Sequence, residues 1–233
     1  MKLIQKVLIM FLITLSANSI AQGSDNSGNI NSGFRFAIDD QKGHPFLKSD
    51  WYEGNFVKND GTTSDKMLIN YQIVDNFLTV MKMEGGEKIF LKINNDDYKG
   101  FVIKDKDNKV FIYKKIEGNL FDSKKKEDKF YLMSNPPKST IVIESTKTYK
   151  DPNASGWSSS TNTTKRGEYK SSTTAYVLNK DNKYVKVKYS TSSIAKAFSD
   201  KKKEIKAFIK KQNIKIDDAA DLIPIVDYYY SIK

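Results

Sequence analysis

Cysteine is absent from this 233-residue sequence, histidine occurs once, and only one long apolar run exists, near the start. Without cysteine there is no disulfide framework, no thiolate metal centre and no residue to carry a lipid after a cleavage site. His44 stands before Pro45 in a polar stretch. A zinc centre would have to be built almost wholly from carboxylates, so His44 is read as a loop residue rather than as a ligand or base. No Gly-x-Ser-x-Gly elbow, phosphate loop, dinucleotide fingerprint or His-Glu-x-x-His helix is present. Asp105-x-Asp107 begins like a calcium loop, but Lys109 and Ile116 fall where oxygen ligands are required. The adjacent carboxylates Asp96 with Asp97 and Asp217 with Asp218 suit turns and helix caps. No enzyme activity, metal or cofactor is expected.

What is present begins with an export signal. Lys2 and Lys6 precede an apolar run over residues 7–15, and Ser19, Ile20 and Ala21 place small residues around a cleavage point. The run is far shorter than the roughly 20 apolar residues that cross a bilayer. Cleavage after about Ala21 is therefore expected, giving an exported protein, periplasmic or secreted, with no transmembrane segment in the mature chain. Loss of two lysines lowers the basic count from 39 to 37 against 28 acids, a mature net charge of +9. Such a charge favours anionic surfaces, and it serves solubility equally well. Residues 22–33 are rich in Gly, Ser and Asn and read as a flexible leader, leaving residues 34–233 as a single β-rich domain.

From residue 51 onward, short runs of Val, Ile, Phe and Tyr alternate with Gly, Asn and Asp clusters. The spacing is that of an antiparallel meander. The runs are 51–58, 67–71, 77–83, 88–93, 100–104, 109–115, 129–134, 140–149, 169–178 and 184–189. In the last, Lys186 and Lys188 take one face and Val185, Val187 and Tyr189 the other, which predicts one wet and one packed side. Asn59-Asp60-Gly61 and Gly85-Gly86 tolerate positive φ in tight reversals. The tetrapeptide Lys-Asp-Asn-Lys occurs at 106–109 and again at 180–183. Repeated use of a good turn explains it better than a duplicated hairpin, because the flanking residues do not match.

Near the end the period changes to that of a helix. Ile194, Phe198, Ile205, Phe208 and Ile209 share one side, with Lys203, Lys206 and Lys210 opposite, predicting an amphipathic helix over about 194–212. A second helix is expected over about 218–230, where Pro224 demands either a kink or a start near Asp221. The fold class that follows is α+β: a mainly antiparallel β meander, as a curved sheet or incomplete barrel, with a C-terminal helical pair.

The tail from Phe198 through Asn213 to Tyr229 resembles that of a broad group of uncharacterised exported β-rich proteins of Bacteroidota with a helical C-terminal tail. Trp51-Tyr-Glu-Gly54 and Ile69-Asn-Tyr71 share the likeness. The resemblance implies the outer compartment of a two-membrane bacterium and carries no catalytic residues. The polar insert at 150–166 departs from that group's pattern.

Two features are candidates for binding. One is the lysine face of the first helix, Lys203, Lys206 and Lys210, with flanking Lys201, Lys202 and Lys211 and with Lys124, Lys125 and Lys126; its competing explanation is a solvated face. The other is Trp157 in the loop 150–166, whose ring suits stacking on a sugar or protein, or folding back on the sheet. The expected function is a noncatalytic envelope or secreted binding or structural module. Its partner is expected to be an envelope protein, acidic glycan or anionic lipid surface rather than nucleic acid. The alternatives are a carrier of lipid or another small ligand inside a barrel, and an unrecognised carboxylate hydrolase. A carrier requires an apolar cavity, and a hydrolase requires converging carboxylates.

Overall fold

The computed structural model describes residues 42–151 and 167–233. Ten strands lie where the ten runs predict them: β1 Tyr52–Lys58, β2 Met67–Gln72, β3 Phe77–Glu84, β4 Glu87–Ile93, β5 Tyr98–Lys104, β6 Val110–Ile116, β7 Lys129–Met133, β8 Ile141–Lys150, β9 Glu168–Leu178 and β10 Tyr184–Val187. They form one open antiparallel sheet in the order β10-β9-β8-β7-β6-β5-β1-β2-β3-β4. The only departure from a simple meander is β5, which pairs with β1 instead of β4.

Local chemistry sets the turns. Gly85 and Gly86, both at positive φ, make the two-residue reversal between β3 and β4. The repeated Lys-Asp-Asn-Lys is one turn used twice. Asp105 Oδ1 accepts from the amides of Asp107 and Lys109, and Asn179 Oδ1 accepts from those of Asp181 and Lys183. Asn108 and Asn182 both take the left-handed conformation.

The sheet is strongly curved. In a flat sheet β4 and β5 would stand four strand spacings apart, about 19 Å. Residues 94–97, wound into a 3-10 turn, nevertheless join them, and such a turn rises only about 2 Å per residue. Asn95 fastens this closure by accepting from the Leu78 amide and donating to the Asn76 carbonyl. A strap over residues 42–50 makes a second closure. Lys42 hydrogen-bonds Gly167 and Tyr169 beside β9, and Leu47 donates to the Tyr71 carbonyl in β2. Asn70 holds the strap through the carbonyls of Lys48 and Asp50.

The concave side of β1 to β7 is filled by side chains. Phe56, Ile69, Leu78, Val80, Phe101 and Ile103 are buried there, and Phe101 stacks on Tyr113 with ring centres 4.5 Å apart. Gly54 is required at its position because a Cβ would meet the Val102 carbonyl and the Ile69 side chain.

Where β8 and β9 run beside β7 and β10, both faces carry buried residues. Ile141, Ala175, Val177 and Val187 meet the helices, while Val142, Tyr176 and Tyr184 meet Phe121 and Tyr131 on the other side. The last strand keeps its expected wet side at Lys186 and Lys188, both exposed, but Tyr184 shares that face and is buried against Phe121.

Three helices, rather than a pair, close the chain: α1 Thr191–Ala197, α2 Lys202–Lys211 and α3 Leu222–Ser231. The expected first helix breaks at Phe198, whose backbone (φ −102°, ψ 60°) leaves the helical region. The break keeps the Phe198 ring buried, stacked 4.1 Å from Tyr229. Periodicity alone hides the break, because both pieces carry apolar residues in the same projected phase. Asn213 at φ 49° closes α2, with Ile214 donating to the Ile209 carbonyl and Asn213 to that of Lys210. Helix α3 starts after Asp221, which places Pro224 in its first turn where no backbone donor is needed.

Candidate functional site

Two clusters of lysine face in opposite directions across β9, because helix-contacting Val177 and Tyr176 point to opposite sides of that strand. The first is on α2. Ile205 and Ile209 are buried in the helical core, so the apolar stripe is consumed by packing and Lys203, Lys206 and Lys210 face solvent. Lys202 and Lys211 are exposed as well. None of these five lysines joins an ion pair among the described residues. Lys202 and Lys203 share the first turn of α2 with Glu204, no side chain caps that end, and the helix dipole there opposes the two positive charges. Phe208 is only half-buried, lying flat on Tyr228 with ring centres 4.0 Å apart.

The second cluster lies in the connection between β6 and β7. Lys124 and Lys126 are exposed, but Lys125 turns inward and pairs with Glu144 of β8. Its ammonium stands 4.4 Å from the ring centre of Tyr176, 4.5 Å from Phe121 and 5.0 Å from Tyr131. Tyr176 donates its hydroxyl to Glu144 at 2.8 Å. Burial lowers the Lys125 pKa against the opposing pull of Glu144, and burial raises that of Tyr131 well above the phenol range. The Tyr131 hydroxyl is buried with no hydrogen-bond partner among the described residues. A depression of about 370 Å³ lined by Lys125, Lys126, Glu127, Lys129 and Glu144 opens beside this centre. Lys125 therefore does not belong to a free basic patch with the α2 lysines, as the sequence suggested. A run of three lysines gives no sign that the middle one has a carboxylate and three rings waiting for it.

The remaining sequence candidates resolve simply. Trp157 lies outside the described residues. His44 Nδ1 accepts from the Phe46 amide at 3.2 Å, and Lys147 reaches the carbonyls of His44 and Phe46 at 3.0 and 2.6 Å, so both residues hold the strap. Burial and the Lys147 charge lower the His44 pKa. Asp218 and Asp221 accept from each other's neighbouring amides ahead of α3, and Asn94 caps the turn containing Asp96. No group of three or more metal-ligating side chains is gathered among the described residues. No described helix is long and apolar enough to cross a membrane.

The fold and these clusters define an α+β protein with a curled ten-stranded antiparallel sheet and an outward-facing basic helix. Compared with known protein families, characterised proteins and solved structures, the chain matches none.

Proposed function

We propose that this protein is an exported, noncatalytic binding module of the bacterial envelope that holds an anionic surface, acidic glycan or lipid headgroup, through the lysine face of α2. The observation that carries the reading is the placement of those lysines. Five lysines with no ion pair among the described residues stand on a helix fixed to the core by its opposite side, and two of them sit where the helix dipole opposes them. Helix stability does not favour Lys202 and Lys203 in the first turn, although it favours Lys210 and Lys211 in the last, and an anionic partner would favour all five. Because Ile205 and Ile209 are already spent on the core, α2 has no free apolar stripe to insert into a bilayer, and the contact is electrostatic and peripheral. The packed concave face of the sheet favours this reading over a carrier with an internal ligand.

Replacing Lys203, Lys206 and Lys210 together by Gln is expected to leave stability within about 0.5 kcal/mol per site. Adsorption to anionic vesicles or acidic glycan then weakens by up to roughly 1 kcal/mol per charge, and wild-type adsorption falls from low to physiological salt. Cosedimentation measures both. Equal adsorption of wild type and variant at every salt concentration overturns the reading.

A further inference from the structure

The surroundings of Lys125 are those of a receptor for a cation, and three of its four walls, Tyr131, Glu144 and Tyr176, stand on strands. Phe121 and Tyr131 are fully buried and Tyr176 nearly so. Phe121 holds Tyr131 and Tyr176 at ring-centre distances of 4.9 Å each, and Tyr131 meets Tyr176 edge-on at 6.3 Å. Glu144 is positioned by the Tyr176 hydroxyl. These walls come from β7, β8, β9 and the β6 to β7 connection, so each is fixed by strand pairing or core packing. Lys125 reaches in from the rim, where its amide bonds the Gly118 carbonyl. Its side chain and that of Glu144 keep 18% and 14% of their exposure, and the 370 Å³ depression, lined also by Lys126, Lys129 and Glu127, gives a way in.

Ring faces carry negative quadrupole and attract cations. A carboxylate adds charge and accepts a hydrogen bond from an N–H donor. An anion is repelled by both, and a neutral donor gains the hydrogen bond to Glu144 but neither the charge pairing nor the cation–ring attraction. A quaternary ammonium satisfies the rings but cannot donate to Glu144. We infer that Phe121, Tyr131, Tyr176 and Glu144 form a binding site for a primary alkylammonium ion, occupied in this structure by the chain's own Lys125. The tethered lysine competes with any free ligand at an effective concentration of order millimolar, so the intact site takes a free amine only weakly. This site lies across β9 from α2 and is independent of the function proposed for that helix.

The test is Lys125→Ala titrated with n-butylammonium, the free analogue of the lysine side chain, followed by the shift in thermal unfolding midpoint. Saturable stabilisation is expected, and it should be weaker for the wild type. Tetramethylammonium should bind less tightly than n-butylammonium, n-butanol should give no saturable shift, and Glu144→Gln added to the Ala variant should abolish the response. If Lys125→Ala does not fold alone, folding rescued by n-butylammonium and not by n-butanol supports the site. Failure of the amine to stabilise or rescue the variant overturns it, and so does equal affinity for variant and wild type.

Discussion

The β8 and β9 hairpin is one continuous ladder with two unlike ends. From Ile141 to Glu144 and from Thr174 to Leu178 it lies between helices on one face and aromatic rings on the other. Beyond, Lys170, Ser171, Ser172 and Thr173 are all exposed, and β7 and β10 have already parted from the ladder. Backbone pairing is the same at both ends, so pairing is not what distinguishes them. An isolated two-stranded ribbon is marginal in water, and the outer half persists through a few polar ties: the Thr146 and Ser172 hydroxyls at 2.8 Å, the Tyr149 and Tyr169 rings, and Lys147 on the strap. Packing on both faces sets the stability of the inner half, and point contacts set that of the outer half.

Alkali should act most strongly on this contrast. Burial raises the pKa of Tyr131, Tyr176 and Tyr184 around the inner half, and burial with the nearby Asp200 carboxylate pushes Tyr229 up to about 12. A raised folded-state pKa means that the native state keeps protons the unfolded state has lost. The stabilisation is complete below pH about 10 and is lost as pH rises through the folded values. The lowered Lys125 and Lys147 act in the opposite sense over that range, but the raised tyrosines outnumber them. Urea midpoints should therefore hold up to about pH 10 and fall as pH rises above it. A flat profile would mean that the inner half is held without its buried hydroxyls.

Substitution sharpens the same comparison. Ile141→Ala, fully buried at the inner end, should cost about 2 to 5 kcal/mol, while Thr148→Ala at the outer end should stay within about 0.5 kcal/mol. Equal losses in urea denaturation would break the distinction. Lys147→Met removes a charged donor from two carbonyls and should cost about 1.5 to 3 kcal/mol. Hydrogen exchange should show the loss as faster exchange at Phe46 and Leu47, with the inner strands unaffected. The smallest effect is a gain: Tyr131→Phe removes a buried hydroxyl that has no partner among the described residues and should stabilise by about 1 kcal/mol, read from the unfolding midpoint.

The strands and turns were legible because their signals are local. Alternation over five to ten residues marks a strand, and Asn182 or Gly85 marks a reversal, whatever lies elsewhere in the chain. The lysine face of α2 was legible for the same reason, since Ile205 and Ile209 fix which side packs. The break at Phe198 was not, because a stacking partner 31 residues further on, Tyr229, decides it. Nor was the Lys125 centre, whose four walls come from positions 121, 131, 144 and 176.

The sequence by itself determined the α+β composition, the ten strands, the turn types and the outward lysines of α2, all of which depend on neighbours within a few residues. Tertiary structure alone decided that β5 joins β1, that the sheet curls until a 3-10 turn bridges β4 to β5, and that Lys125 is enclosed while Lys124 and Lys126 are not. Strand order, curvature and the burial of a charge are set by contacts between distant segments, and no local pattern of residues encodes which distant segment will arrive.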